Sequence, residues 1–332
     1  MERQLEICID RVVESMKNEI QVLQEVGRKE FQTHTTRIKN LYQKAIDNAR
    51  TTIHSEEKGI LITNITTLKE YIHNCIKDGE YVLDIETTGL DPFNDLIVGI
   101  CLYSPSQKPA YIPMLHTNID NTLIEGQLEV AVVKQHITHL MESEALWINH
   151  NIKFDAKFLM YRWDIKPNNM YWDTQIGAFI LNENEPTHAL KPLYAKYITK
   201  SKDKQSYKDL FEKTPFNYIP LDLAEVYGAN DGTKTYKLYQ FQKQYLRPDH
   251  ERGDFKQLYK VFREIEMALL PVLCDMELRG VEIDTAFAKE LEVKYAQTIE
   301  EQEQYLYDVI YTRFGNKVKN HVGLQALVEK QA

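Results

Sequence analysis

Two carboxylates lie two residues apart in the stretch YVLDIETTGLDP at positions 81–92. The apolar run before Asp84 predicts a β-strand that ends near Gly89 and Pro92. Residues i and i+2 of a strand point to the same face, so Asp84 and Glu86 should project together. Buried like charges repel, and a hard divalent cation such as Mg²⁺, which prefers oxygen ligands, would neutralise them. The spacing therefore indicates a metal site, with a solvated edge strand as the alternative for this motif alone.

Two further pairs place an acid one helical turn from a polar side chain. Asn151 and Asp155 follow a short apolar run, and Tyr227 and Asp231 lie in the segment YGANDGTKTY. Residues at i and i+4 share one helix face, so each pair could act at one place. Each pair alone is weak evidence, because an acid near a helix start is more often a cap. The ordered set of three motifs is far more specific, and it predicts that the four acids converge.

These three segments resemble the exonuclease motifs of the 3′–5′ proofreading domain of family A DNA polymerases, in the DEDD subgroup with tyrosine in the third motif. The resemblance covers roughly residues 58–245 and includes the connecting segments WDTQIGAFILN and HALKPLYAKY. It continues in residues 264–284, which are similar to the helix that opens the polymerase thumb. One departure is Ala268, where the family usually has proline.

The resemblance implies a 3′–5′ exonuclease that hydrolyses DNA 3′ ends to nucleoside 5′-monophosphates with two divalent cations, Mg²⁺ or Mn²⁺. It implies Asp84, Glu86 and Asp231 as ligands of the first ion. The second ion would be held by Asp155 and bridged by Asp84. Tyr227 would orient the attacking water, since a phenol with a pKa of about 10 is a poor general base.

The resemblance also implies three substrate contacts. Leu90 would lie against the terminal base, Thr87 would meet the 3′ end, and Asn151 would contact the strand or support the second metal ligand. A place in the core is the alternative for Leu90. The expected partner is a single-stranded or frayed DNA 3′ end, because unpaired bases can stack on apolar side chains. Asp173 is interpreted as a helix cap and His150 as a structural residue.

The elements that must position these residues alternate between strand and helix. Apolar, β-branched runs in DLIVGICLYS, PAYIPM and ALWINH predict strands, while EGQLEVAVVKQHITHLMES and FDAKFLMYRW predict helices. We expect an α/β fold with a mixed central sheet flanked by helices, which the resemblance identifies as the ribonuclease H-like exonuclease fold. A helix capped near Thr66 or Thr67 should precede the acidic strand. After residue 185 only helical patterns continue, with a further charged helix at 285–314.

The patterns divide the chain into three parts. Residues 1–57 form a predicted N-terminal helical extension, because apolar residues such as Leu41 and Ile46 recur at helical spacing. Residues 58–248 form the predicted exonuclease domain, and 249–332 the beginning of a polymerase thumb region. No palm or fingers follow, so we expect no polymerase activity from this chain by itself. A separate polymerase chain or a C-terminal polymerase domain would be its partner.

Composition and charge are those of an ordinary globular protein. The 332 residues include 40 Lys+Arg and 49 Asp+Glu, which gives a net charge of −9. A negative total alone disfavours nucleic-acid binding, but acids at a metal site add to it without excluding local basic patches. The four cysteines lack metal-site spacing, which disfavours zinc and disulfides. No apolar run reaches the roughly 20 residues of a membrane span, so we expect no membrane partner. The scattered cysteines fit a reducing cytosol, so we expect a cytoplasmic location.

Two alternatives to DNA proofreading remain. A ribonuclease D-like 3′–5′ exoribonuclease shares the acidic motifs, but the thumb-like helix after Arg263 disfavours it. A catalytically silent module that binds DNA or a polymerase is the other, although the four acids and Tyr227 are all present. Release of mononucleotides with Mg²⁺, compared between DNA and RNA, would separate the three.

Overall fold

A six-stranded mixed sheet lies at the centre of the residues that the structure describes. The structure is a computed structural model, and the described residues are 36–37, 39–53, 58–201, 207–211 and 214–314. The strands are β1 (Ile60–Leu61), β2 (Glu80–Thr87), β3 (Ile97–Tyr103), β4 (Ala110–Pro113), β5 (Leu146–Asn149) and β6 (Met170–Asp173). They lie in the order β1-β4-β3-β2-β5-β6, with β2 antiparallel to β3 and parallel to β5. The acidic strand β2 is therefore an interior strand, and the predicted mixed sheet is confirmed.

Helices flank this sheet in the compact unit that ends at Leu278. They are α1 (39–53), α2 (Ile65–Asp78), α3 (Val130–Glu142), α4 (Ile152–Trp163), α5 (Thr174–Leu181), α6 (Leu190–Tyr194), α7 (Tyr207–Phe211), α8 (Leu221–Lys243), α9 (Gly253–Lys260) and α10 (Met267–Arg279). Short π-helical segments at Ala195–Thr199 and Val261–Glu266 follow α6 and α9. The helices predicted on either side of β5 and after residue 185 are confirmed.

The two faces of the sheet pack against different sets of residues. Successive side chains of a strand point to opposite faces, so Ile100 and Leu102 of β3 join the main core cluster. Cys101, between them, joins a second cluster with Tyr111 and with Val226 of α8. Helix α8 contacts β2, β3 and β4. The face that carries Cys101 is therefore the face against which α8 lies.

Helix α2 begins two residues earlier than expected. Asn64 is the N-cap, and its side chain accepts a hydrogen bond from the Thr67 backbone N–H at 2.9 Å. The predicted cap near Thr66 or Thr67 is therefore wrong, because asparagine competes as well as threonine for this position. The helix ends at Gly79, whose positive φ of 75° suits the residue that closes a helix.

Only the last part of the predicted N-terminal extension is described. Residues 39–53 are helical, and Ile46, Ala49 and Ile53 are buried in the cluster that includes Val226. Residues 1–35, 38 and 54–57 lie outside the described part of the chain.

The last helices form two groups. Helices α9 and α10 belong to the unit that holds the sheet, where the Phe262 ring lies 4.5 Å from that of Trp172. A second compact unit begins at Arg279 and contains the predicted charged helix, α11 (Thr285–Phe314). The predicted domain boundaries at 57/58 and 248/249 stay predictions. Among the described residues, no helix combines the length and the apolar character that a membrane span needs.

Candidate active site

Strand β2 brings the first two acids onto the face that α8 covers. Asp84 lies opposite Cys101 in the antiparallel register. A carboxylate oxygen from each of Asp84 and Glu86 and the Cys101 sulfur all lie within 4.8 Å of one another. The thiol donates a weak hydrogen bond to Glu86 Oε1 at 4.0 Å. The two acids are half-buried and project together, as their spacing predicts.

Asp155 is fixed in the first turn of α4, next to β2. Its side chain is almost completely buried. Its Oδ1 accepts a hydrogen bond from the Ile85 backbone N–H at 2.8 Å, and its Oδ2 accepts one from Asn149 Nδ2 at 2.9 Å. The first of these bonds comes from the residue between Asp84 and Glu86, so the second motif is attached directly to the first.

Asn149 joins the two motifs and is a residue that sequence reasoning missed. It is the last residue of β5, it is fully buried, and its Nδ2 also lies 3.4 Å from Asp84 Oδ1. The carboxamide therefore donates to one carboxylate of each motif. The available signal was a polar residue at the end of a buried strand, where sites of α/β proteins gather.

Asp173 caps α5, as predicted, and its carboxylate also caps the start of α4. Its Oδ1 accepts hydrogen bonds from the backbone N–H groups of Gln175 at 2.8 Å and Asn151 at 3.1 Å. Its Oδ2 accepts from the Ile152 N–H at 2.9 Å. One buried carboxylate thus satisfies the first N–H groups of both α5 and α4. Because α4 carries Asp155, this cap sets the position of the second motif.

Asp231 lies on α8 with few partners. Its Oδ2 is 3.5 Å from Lys191 Nζ, and its Oδ1 is 3.8 Å from Lys234 Nζ. Oδ1 is buried, and no donor lies within hydrogen-bonding distance of it. A buried carboxylate oxygen without a donor is costly unless a cation completes its environment.

Tyr227 lies one helical turn before Asp231 in an aromatic enclosure. Its ring centroid is 5.7 Å from those of Tyr207 and Phe211 and 6.0 Å from that of Phe216. Burial, and then the charge of Asp231, raise the pKa of the Tyr227 phenol well above its usual value. The phenol therefore keeps its proton and can donate a hydrogen bond. Tyr207, which sequence reasoning also missed, is half-buried against this ring.

The acids form one electrostatic cluster. Burial, followed by the charge of Asp231, raises the pKa of Asp84 to about 7. Burial, followed by the charge of Asp84, raises the pKa values of Glu86 and Asp155 well above their usual range. Each of these shifts has burial as its largest cause and another acid of the set as its next. The structure thus brings the four predicted acids together, while their roles as ligands stay predictions.

The loop after β2 carries the predicted substrate contacts Thr87 and Leu90. The Leu90 side chain is 84% exposed, so the alternative of a core position is wrong. Thr87 Oγ1 donates to the Gly89 carbonyl at 2.5 Å. The Asp95 carboxylate holds the loop. It accepts hydrogen bonds from Thr88 Oγ1 at 3.0 Å and from the Asp91 backbone N–H at 2.9 Å. A Cβ at position 89 would lie only 2.4 Å from that carboxylate, so any larger residue there would displace the group that holds the loop.

The predicted contact Asn151 lies apart from this loop in the sequence, at the start of α4. Its backbone is left-handed, with φ of 62°, and its side chain is exposed. Its backbone N–H donates to Asp173, and its backbone carbonyl accepts from the Phe154 N–H at 3.0 Å. The structure leaves its side chain accessible, and its substrate role stays a prediction.

Comparison with known proteins identifies this arrangement. Residues 60–246, more than half of the chain, match the 3′–5′ exonuclease family of DNA polymerase A. The chain belongs to this family. The DNA polymerase I of Rhizobium leguminosarum is 26% identical over 274 residues, which are 77% of this chain and 26% of that protein. The DNA polymerase I of Borreliella burgdorferi is 28% identical over 251 residues, 74% of this chain and 25% of that protein.

This exonuclease chain thus spans about a quarter of the length of these relatives. A solved structure of the POL domain of Pol1 from M. smegmatis, in complex with DNA primer-template and dNTP, has a TM-score of 0.52. It is 12% identical and covers 73% of this chain and 36% of that one, so it supports the fold alone. The fold is the ribonuclease H-like exonuclease fold, and the family resemblance seen in the sequence is confirmed.

The acidic cluster of this exonuclease fits a hard divalent cation. Its donors are carboxylate oxygens, which Mg²⁺ and Mn²⁺ prefer. The pKa values of three acids are raised and one Asp231 oxygen has no donor, and a bound cation would remove both penalties. The pKa of the buried Cys101 thiol is also raised, mainly by burial, so this sulfur stays protonated and offers little to a soft metal.

Proposed function

We propose that this chain hydrolyses DNA from the 3′ end to nucleoside 5′-monophosphates with two bound divalent cations, Mg²⁺ or Mn²⁺. The observation that carries this proposal is the cluster of Asp84, Glu86, Asp155 and Asp231. Burial and repulsion from neighbouring acids raise the pKa values of Asp84, Glu86 and Asp155, and one buried oxygen of Asp231 has no hydrogen-bond donor. Such a cluster lowers the stability of the metal-free protein. Cations that bind the acids and take part in the reaction would offset this loss and explain why the acids are there. Membership of the 3′–5′ exonuclease family supports the same reaction.

Each acid has a proposed place. Asp84, Glu86 and Asp231 would hold one ion, and Asp84 and Asp155 the other. When bound, the ions would make a water nucleophilic near neutral pH and offset charge on the leaving oxygen. The protein fixes the acids beforehand, since the Ile85 N–H and the Asn149 carboxamide already orient Asp155.

Tyr227 would orient the attacking water without removing its proton. Burial and the neighbouring acids raise the pKa of the phenol, and a phenol is a poor general base at neutral pH. The enclosing aromatic rings hold the hydroxyl in place, and its O–H can donate one hydrogen bond and accept another. Positioning of this kind contributes to rate through orientation.

The substrate would be a single-stranded or frayed 3′ end. Leu90 is an exposed apolar side chain on a loop that Asp95 holds rigid, which suits stacking of a terminal base. Thr87 and Asn151 would contact the same strand. DNA is the favoured polymer because the matched relatives are DNA polymerases.

The proposed partner is a polymerase, either a separate chain or a further domain. Residues 249–332 would be the beginning of its thumb, with no polymerase activity supplied by the described elements themselves. In support, the relatives are DNA polymerases, and the exonuclease match ends at residue 246. As part of this proposal we expect no primer extension with dNTPs from this chain alone.

Incubation with 5′-labelled single-stranded DNA tests the function. With Mg²⁺ we expect shortening from the 3′ end and release of deoxynucleoside 5′-monophosphates, with none in EDTA or on a 3′-phosphorothioate end. An RNA of the same sequence should be cut more slowly. Faster cleavage of the RNA would favour the exoribonuclease alternative, and binding without cleavage of either polymer would favour a silent module.

Tyr227→Phe should slow cleavage by about 10- to 100-fold while Mn²⁺ binding changes little, because it removes only an orienting hydroxyl. The measurements are kcat on single-stranded DNA and the Mn²⁺ dissociation constant by calorimetry. Tyr245→Phe, in the turn that follows the C-terminal end of α8, is the control and should leave both unchanged. A large loss of Mn²⁺ affinity in Tyr227→Phe would make the tyrosine a ligand instead.

A further inference from the structure

Lys191 brings a positive charge into the acidic cluster from a separate element. It lies on α6, and its side chain is only 16% exposed. Its Nζ is 3.5 Å from Asp231 Oδ2 and 3.8 Å from the centroid of the Tyr227 ring. Tyr227 and Asp231 are one turn apart on α8, so a single ammonium group contacts both residues of the third motif.

Lys191 differs from a second lysine that approaches Asp231 in the described part of the chain. Lys234 also approaches Asp231, at 3.8 Å, but it lies on α8 itself, three residues away. Its contact with Asp231 therefore lies within α8 and does not join α8 to another element. Lys191 does so, and its charge also lowers the pKa values of Asp84 and Glu86 against the opposing effects of burial and repulsion.

The position of the ammonium group decides how the Tyr227 ring is held. Tyr207 and Phe211 meet the ring in edge-to-face contacts, with interplanar angles of 83° and 69°. Lys191 lies near the ring centroid, where the attraction of a cation to the π-system is strongest. The same ammonium is anchored by Asp231, so displacement of the ring would separate a buried charge from a partner.

We propose that Lys191 is a positioning residue of the exonuclease reaction, which fixes the Tyr227 ring while its ammonium group is anchored by the Asp231 carboxylate. The inference rests on the proposed function, since it assigns a role within that reaction. In this role Lys191 acts through Tyr227, whose hydroxyl would orient the attacking water. Loss of its charge should therefore reduce kcat on DNA and leave KM for DNA nearly unchanged.

A double-mutant cycle tests this role. Lys191→Met keeps the length of the side chain but loses the charge, and should lower kcat about 10- to 100-fold, because loss of orientation costs factors of this size. In a Tyr227→Phe background the same substitution should cost about threefold or less, since the hydroxyl that it orients is gone. Lys191→Arg, which keeps a cation over the ring, should recover most of the lost rate.

A second readout uses the protein without metal. In carbon-13 spectra of labelled tyrosine rings, Lys191→Met should shift the signal that Tyr227→Phe identifies by its loss. Lys196→Met is the matched control, because Lys196 lies near α6, pairs with Glu185 at 2.7 Å and lies 5.0 Å from the Tyr197 ring centroid. It should leave the Tyr227 signal and kcat unchanged.

The outcomes are distinct. Equal losses of kcat in both backgrounds, a kcat unaffected by Lys191→Met, an unmoved Tyr227 signal, or a rise in KM alone would each overturn the positioning role. A folded wild-type chain that releases no nucleotide with Mg²⁺ would overturn the proposed function itself, whatever the Lys191 variants do.

Discussion

Asp84→Asn will abolish 3′-end cleavage and, in the metal-free protein, increase stability above neutral pH. Asparagine has the shape of aspartate but no charge, so it cannot bridge two cations. Removing one residue of a catalytic set that acts as a unit typically lowers the reaction rate about 10³-fold or more. We therefore expect a loss of cleavage of at least about 10³-fold. The rate of release of deoxynucleoside monophosphates with Mg²⁺ is the measurement.

The stability gain follows from the pKa of Asp84. Burial and the charge of Asp231 raise this pKa to about 7, from its usual value of 3.8. Between these values the folded protein binds more protons than the unfolded chain, so the free energy of unfolding falls as pH rises through this window. The asparagine of Asp84→Asn does not ionise. The variant therefore lacks the part of the fall in the free energy of unfolding that Asp84 causes. One pKa unit corresponds to about 1.4 kcal/mol. Because Asp84 shares its shift with the neighbouring acids and is only half-buried, a gain of about 1–3 kcal/mol, less than the full shift would give, is expected near pH 8.

Urea unfolding in EDTA, at about pH 5 and about pH 8, measures this difference. Adding Mn²⁺ at the higher pH should stabilise the wild-type protein far more than Asp84→Asn, since ligands stabilise the state that binds them. Glu277→Gln is the control, because the pKa shift of Glu277 is opposite in sign to that of Asp84. Hydrogen bonds from Lys153 and Lys157 lower the pKa of Glu277. It should retain cleavage and gain no stability. Cleavage by Asp84→Asn near the wild-type rate would refute the ligand role.

Local periodicity accounts for the part of the site that could be predicted from sequence. Alternation along β2 places Asp84 and Glu86 on one face, and helical spacing places Tyr227 and Asp231 on one face of α8. Neither pattern states which helix covers which face of the sheet. That pairing depends on the register of β2 against β3, where Asp84 lies opposite Cys101, and on the close contact of α8 with this face.

Contacts between distant residues account for the parts that were missed. Asn149 and Asp84 are 65 positions apart, and their hydrogen bond exists only because β5 pairs in parallel with β2. Lys191 reaches Asp231 because α6 packs against α8. Leu90 shows a different limit, since an apolar side chain in a turn carries no local sign of whether it is buried. Its exposure depends on a loop that is held by Asp95.

Gly228 lies at the point where these distant elements meet. It follows Tyr227 on α8, and a Cβ built at this position would lie 2.3 Å from Cys101 Sγ and 3.3 Å from Tyr111 Cδ2. Both neighbours are buried side chains of the sheet. Glycine, which costs stability within a helix, is therefore explained by the close approach of α8 to β3 and β4. This approach brings the third motif to the carboxylates of β2.

Gly228→Ala should consequently reduce both stability and activity. Inserting a methyl group into a packed contact of this kind costs about 1–3 kcal/mol, offset only partly by the better helix propensity of alanine. Because α8 must move away from β3, Tyr227 and Asp231 should be displaced together, with a fall in kcat of about 10-fold or more. Urea unfolding and release of nucleotides from DNA measure the two effects.

Two further variants isolate the cause of that loss. Gly253→Ala, at the start of α9, adds a methyl group that meets no heavy atom within 4 Å, and it should leave both stability and kcat unchanged. Cys101→Ala removes the sulfur that the new Cβ would strike, so in the Gly228→Ala background it should restore at least half of the lost free energy of unfolding. A double variant no more stable or active than Gly228→Ala alone would mean that another contact sets the distance between α8 and the acidic strand.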